Sequence, residues 1–126
     1  MNIVATNNAP AAIGPYSQAV KTDNMVFLSG QLGVNHATKK LVDETIENQT
    51  NQVFKNISAV LAAAGTDLSA VVKTTVFLKS MNDFSKMNEL YEANFGSHKP
   101  ARSTVQVAKL PMDAMIEIEC VAVVEK

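Results

Sequence analysis

Two stretches of the chain place apolar residues at helical spacing. Ile46, Val53, Phe54, Ile57, Val60, Leu61 and Ala64 fall on one stripe at steps of three, four and seven. Thr45 is placed to cap its start, and Gly65 stands where a left-handed C-terminal residue belongs. A second helix is predicted from about Asn82, with Phe84, Met87, Leu90, Tyr91 and Phe95 on its apolar face and Gly96 closing it. Elsewhere the pattern is that of strands. Ile3 to Thr6, the loosely alternating run Tyr16 to Lys21, and the β-branched run Val71 to Leu78 are predicted strands. Met25 to Leu28 is a continuous apolar run, the mark of a strand buried on both faces, and it ends at Ser29-Gly30-Gln31. Arg102 to Val107 and Met115 to Val124 complete the set, while residues 33 to 44 have no period and read as loop.

The resulting order, β-β-β-α-β-α-β-β, predicts a single α+β domain over residues 1–126, with two helices packed on one face of a sheet. In the last strand Ile116, Ile118, Cys120, Ala122 and Val124 form one fully apolar face, expected to lie under the helices. The opposite face carries Glu117 and Glu119 but also Val121 and Val123, and the preceding strand adds Val105 and Val107. A second face this apolar is expected to be covered by an oligomer.

Composition narrows the function classes. The 126 residues are 47% hydrophobic and 18% charged, with 11 Lys and Arg against 12 Asp and Glu. With a net charge of −1 and no basic block, nucleic-acid binding has little support. No apolar run approaches the roughly 20 residues of a membrane span. The N-terminus lacks the basic start and apolar core of a signal peptide, and a single Cys fits a reducing compartment, so a cytoplasmic protein is expected. His36 and His98 are isolated, without metal-ligand spacing, and neither metal nor cofactor is expected.

The candidate chemistry lies in the last quarter. Arg102 heads one strand and Glu117 and Glu119 share a face of the next. Burying an unpaired charge costs several kcal/mol, so these groups form either a structural ion pair or the floor of a site for a small anion. Spacing alone favours the ion pair. Arg102 matches a carboxylate bidentately, and Glu117 or Glu119 could act as general acid/base if partly desolvated. Tyr16 beside Gly14-Pro15 offers a hydroxyl but reads first as a packed tyrosine with its tip in water. Ser29 and Gly30 could present a hydroxyl and an N–H at a strand end. Asn88 lies one position from the second helix's stripe, and Cys120 reads as a buried structural thiol.

Several stretches, in order, match a known family. They are Ala9 to Gln18, Leu28-Ser29-Gly30-Gln31, Val72 to Leu78, Asn82-Asp83-Phe84 with Asn88 to Glu92, and Pro100-Ala101-Arg102-Ser103 through Leu110-Pro111 to Ile116-Glu117-Ile118-Glu119. On these residues the chain resembles the RidA (YjgF-like) family of reactive enamine/imine deaminases. The resemblance implies a chorismate-mutase-like fold assembled as a homotrimer, with sites in the clefts between subunits. It implies hydrolysis of 2-iminobutanoate and 2-iminopropanoate, which pyridoxal-phosphate-dependent dehydratases release, to 2-oxo acids and ammonia. By position, Arg102 would clamp the substrate carboxylate and Glu117 would activate water and shuttle protons. Tyr16, Ser29, Gly30, Asn88 and Thr104 would line the pocket. Many members carry Cys at Thr104, so activity here requires that this thiol be dispensable. Two other readings stay open: a non-catalytic, carboxylate-binding regulatory protein, which needs Arg102 but not Glu117, and a ribonuclease or translation inhibitor.

Overall fold

The computed structural model describes residues 1–124. Eight strands and two helices follow one another as β1 (Asn2–Val4), β2 (Ala19–Thr22), β3 (Met25–Leu32), β4 (Val34–Asn35), β5 (Lys40–Leu41), α1 (Ile46–Ala64), β6 (Val71–Leu78), α2 (Phe84–Phe95), β7 (Ala101–Gln106) and β8 (Ile116–Val123). Six of them form one sheet in the order β1-β2-β3-β8-β6-β7. Every pairing in it is antiparallel except β6 with β7. Because β3 and β6 both run against β8, they run with each other, and the connections through α1 and α2 are both crossovers. Such connections share one hand, so both helices lie on one face.

The apolar stripe of α1 is buried in full, together with Met87 and Tyr91 of α2. They pack on Val26, Leu28, Val76, Leu78 and the predicted inner face of β8, Ile116 to Val124. The caps are as predicted: Thr45 Oγ1 accepts from the Asn48 amide at 3.1 Å, and Gly65 takes φ 89°. Replacing a fully buried Leu61 or Ile118 by Ala would cost about 2–5 kcal/mol.

Four expectations need correction. The stretch 33–44 is not featureless loop but holds the hairpin β4–β5. Two-residue strands are too short to show a period; Asn35 makes the turn by accepting from the Ala37 and Thr38 amides, and Asn56 Nδ2 of α1 anchors the hairpin by donating to the carbonyls of Leu32 and Val34. Ser29-Gly30 is not a strand end. It lies inside β3 at a register shift between Leu28 and Gln31, where two residues face the single Glu119 of β8. The run Met25–Leu28 is buried on one face only, with Phe27 46% exposed within the chain. The strand predicted from Tyr16 begins at Ala19, leaving Tyr16 in a loop and 54% exposed.

Residues opposite each other in neighbouring strands share a face. The pairings Phe27↔Val121, Met25↔Val123 and Phe77↔Val105 therefore place an apolar group on the side away from the helices. Lys73, Thr75, Ser103, Glu117 and Glu119 share it. No described element of the chain covers this open face.

Candidate active site

Arg102 lies on β7 opposite Thr74 of β6, which is in turn opposite Cys120 of β8. Thr74 and Cys120 are buried beneath the helices, so Arg102 projects on the helix side. There its guanidinium carbon sits 4.8 Å from the ring centroid of Tyr91 and 5.7 Å from that of Phe84. Cation–π contact holds the charge without neutralising it. The only ion pairs among the described residues are Lys79–Asp113 and Lys86–Glu89, so the expected bridge to Glu117 or Glu119 does not form. Arg102 lines a groove of about 460 Å³ with Asn88, Tyr91, Phe95 and His98. Two polar atoms here are buried without a partner, Asn88 Oδ1 and, two residues along β7 on the same face, Thr104 Oγ1.

Glu117 lies opposite Phe77 of β6 and Leu32 of β3, on the open face. Its carboxyl is folded over the bulge: a Cβ on Gly30 would stand 2.7 Å from Glu117 Cδ and closer still to Oε2. Gly30 is thus the space the carboxylate occupies. Burial, and secondarily the charge of Glu119, raise the Glu117 pKa above the ordinary glutamate value. Ser29 Oγ donates to the Ser17 carbonyl at 2.6 Å, tying the loop that carries Tyr16 to this bulge. Gln18 secures the same loop from below, accepting from the Thr6 amide at 2.7 Å and donating to the Pro10 carbonyl at 2.7 Å.

The predicted residues therefore fall into two groups. Arg102, Asn88 and Thr104 stand on the helix side; Glu117, Ser29 and Gly30, with the Tyr16 loop, belong to the other. A single chain does not bring them together, because the sheet lies between. Cys120 is buried, and its thiol is pushed up to about 12 by burial first and by Glu119 second. It is protonated at neutral pH and no nucleophile. Sequence reasoning missed Tyr91 as a site residue, since at helical spacing it counts simply as core. Its buried hydroxyl is the signal that could have marked it, because such a group needs a partner. It has one in Thr74 Oγ1 at 2.7 Å.

Residues 6–124 match the family described as endoribonuclease L-PSP. The chain belongs to this family, the one that includes the RidA proteins. Reactive Intermediate Deaminase A, chloroplastic, of Arabidopsis thaliana is 55% identical over 120 residues, 95% of this chain and 64% of that protein. The chain thus spans just under two thirds of that relative's length. The Homo sapiens protein named 2-iminobutanoate/2-iminopropanoate deaminase is 46% identical over 121 residues, 96% of this chain and 88% of its own. Among solved structures of the family, E. coli TdcF with bound serine superimposes with a TM-score of 0.94 at 41% identity, covering 99% of this chain and 100% of that one.

Proposed function

We propose that this L-PSP/RidA family member is a 2-iminobutanoate/2-iminopropanoate deaminase, hydrolysing small 2-imino acids to 2-oxo acids and ammonia in sites completed between the subunits of a homotrimer. The observation that carries the reading is the pair of incomplete half-sites: on one side of the sheet an Arg102 over an aromatic ring with no ion-pair partner among the described residues, and on the other a partly desolvated Glu117. The two surfaces differ, so joining them between copies requires head-to-tail contact, which closes into a ring. The uncovered apolar face around Phe27 and Val121 supplies the area for it. A human relative matched over 88% of its length and a plant relative matched over 64% of its length bear deaminase names, and the relative crystallised with serine holds a small amino acid.

In the proposed reaction Arg102 takes the substrate carboxylate on its two parallel donors, fixing the imine carbon near Glu117 of the neighbouring copy. Water gives a proton to Glu117 as its oxygen bonds to the imine carbon, and the C=N electrons move to nitrogen. Glu117 returns that proton to the nitrogen. The C–N bond then breaks, the hydroxyl proton passes back through Glu117, and ammonium and the 2-oxo acid leave. A protonated imine is already electrophilic, so orientation and one acid/base suffice, and a raised Glu117 pKa brings its proton affinity toward neutral pH, where transfer in both directions is efficient. Thr104 serves as a small pocket wall. The protein would act in the cytoplasm beside pyridoxal-phosphate-dependent dehydratases, as damage control for the imines they release.

The test couples threonine dehydratase to the protein and follows imine loss in the presence of a trapping amine. Arg102→Ala should abolish the acceleration. Glu117→Gln should lower kcat by about 10²–10⁴-fold, the usual weight of a general acid/base, while leaving carboxylate binding nearly intact. Equal activity of Arg102→Ala and wild type would sink the proposal.

A further inference from the structure

No carboxylate among the described residues pairs with the Arg102 guanidinium; an aromatic face holds it, and that face is itself fixed. Tyr91 is buried, and its Oη lies 2.7 Å from Thr74 Oγ1. Its ring packs edge-on to Phe54 at 5.8 Å and tilts against Phe95 at 4.7 Å. Thr74 is the residue directly opposite Arg102 in the sheet. The strand pair thus carries both the cation and the hydroxyl that pins the tip of the ring under it. From this geometry we infer that Thr74 and Tyr91 form a positioning pair that sets the orientation of the Arg102 fork for a small carboxylate.

The physical reason is specific to an anchor of this kind. A guanidinium held over a ring by cation–π attraction takes its place from that ring, so rotation or sliding of the ring re-aims its donors. Two parallel hydrogen bonds to a planar carboxylate tolerate little misalignment, and an unpinned ring would leave Arg102 charged but misdirected. Phe84, at 5.7 Å, is the more distant ring. Neither Thr74 nor Tyr91 needs to touch the substrate; both act through Arg102, and the pair has its role only if Arg102 is the carboxylate anchor proposed above.

The test separates orientation from fold. Tyr91→Phe and Thr74→Val each break the same hydrogen bond and keep the ring; Tyr91→Leu removes the ring. Each is measured for KM and kcat in the imine assay, for Kd toward 2-oxobutanoate by calorimetry, and for thermal midpoint. The two bond-breaking variants should each raise KM and Kd about 3–10-fold with kcat within about 2-fold, the size of one hydrogen bond. Their double variant should be no worse than either single one, since both remove one interaction. Tyr91→Leu should weaken Kd further, toward Arg102→Ala, and Tyr91→Phe should rescue most of that. A purely structural role would lower the midpoint and leave KM and Kd at wild-type values, and that result in Tyr91→Phe and Thr74→Val overturns the inference even if Tyr91→Leu fails to fold. If instead Arg102→Ala itself binds 2-oxobutanoate normally, the anchor assignment falls and the positioning pair with it.

Discussion

Gly30→Ala isolates the position of Glu117 from everything else in the fold. The backbone at Gly30 is not in the left-handed region, so alanine can adopt it without strain. The three atoms nearest the added methyl all belong to Glu117: Cδ at 2.7 Å and Cγ at 3.0 Å, with Oε2 nearer. Ordinary contact begins near 3.4 Å, so the carboxyl must retreat by at least the difference and its oxygens by more. The obstacle is the end of a flexible side chain, which yields far more readily than backbone would. The cost therefore falls on geometry and not on stability. A displacement on the order of 1 Å at a reacting group costs about 10²-fold in rate. Gly30→Ala should accordingly lower kcat in the coupled dehydratase assay by about 10²-fold, with Kd for 2-oxobutanoate within about 2-fold and a thermal midpoint within about 4 °C. Adding Gly30→Ala to Glu117→Ala should cause no further loss, because the group it displaces is already gone. Wild-type kcat in Gly30→Ala would refute the placement of Glu117 at the reacting centre.

Two further outcomes concern stability. The folded chain holds the Glu117 proton to higher pH than the unfolded chain, because burial raises its pKa. Between the ordinary and the raised value the native state binds more protons, so this group's contribution falls as pH rises through that window. Glu117→Gln should therefore melt above wild type at pH 7 and level with it below about pH 4, the ordinary glutamate range; a lower midpoint at pH 7 would contradict the sign. Gln18→Leu removes the side chain that satisfies the Thr6 amide and the Thr6 and Pro10 carbonyls. Leaving such groups unpaired should cost about 2–4 kcal/mol in urea unfolding, and a loss below about 0.5 kcal/mol would show that water replaces it.

What the sequence makes legible is decided by length and periodicity. The α1 stripe repeats over five turns between two capping signals, and every stripe residue is buried. In β8 the alternation extends over eight residues, and its inner face is buried as read. The β4–β5 hairpin fails both conditions, with two-residue strands that carry no period and an anchor, Asn56, on another element. The bulge at Ser29-Gly30 is invisible for a related reason: it exists only relative to the partner strand. Site chemistry shows the same division. Arg102 and Glu117 stand out as charges in apolar surroundings, yet whether they meet depends on register, which no single strand encodes. The pairings Thr74↔Arg102 and Phe77↔Glu117 send them to opposite faces. A slip of one residue between β6 and β7 would reverse that for Arg102, and the Arg102–Tyr91 contact together with the hydrogen bond from the Met81 amide to Gln106 Oε1 holds β7 against it.

Separation across the sheet has a consequence that one chain alone cannot show. If each working site takes Arg102 from one copy and Glu117 from the next, Arg102→Ala and Glu117→Gln chains damage complementary halves. Each variant assembled by itself has no intact site. Dissociated, mixed in equal amounts and reassembled, a site is intact when its arginine comes from a Glu117→Gln chain and its glutamate from an Arg102→Ala chain. Each condition holds half the time, so about a quarter of the sites should recover in a head-to-tail ring of random composition. The recovered activity should have wild-type KM, because the intact sites are chemically complete, and only the apparent kcat should scale with their number. Lone copies of either variant, incubated identically, control for residual turnover. A mixture no more active than its components would mean that the two groups do not work across a shared interface, and the division of the site between the faces of the sheet would then have no catalytic meaning.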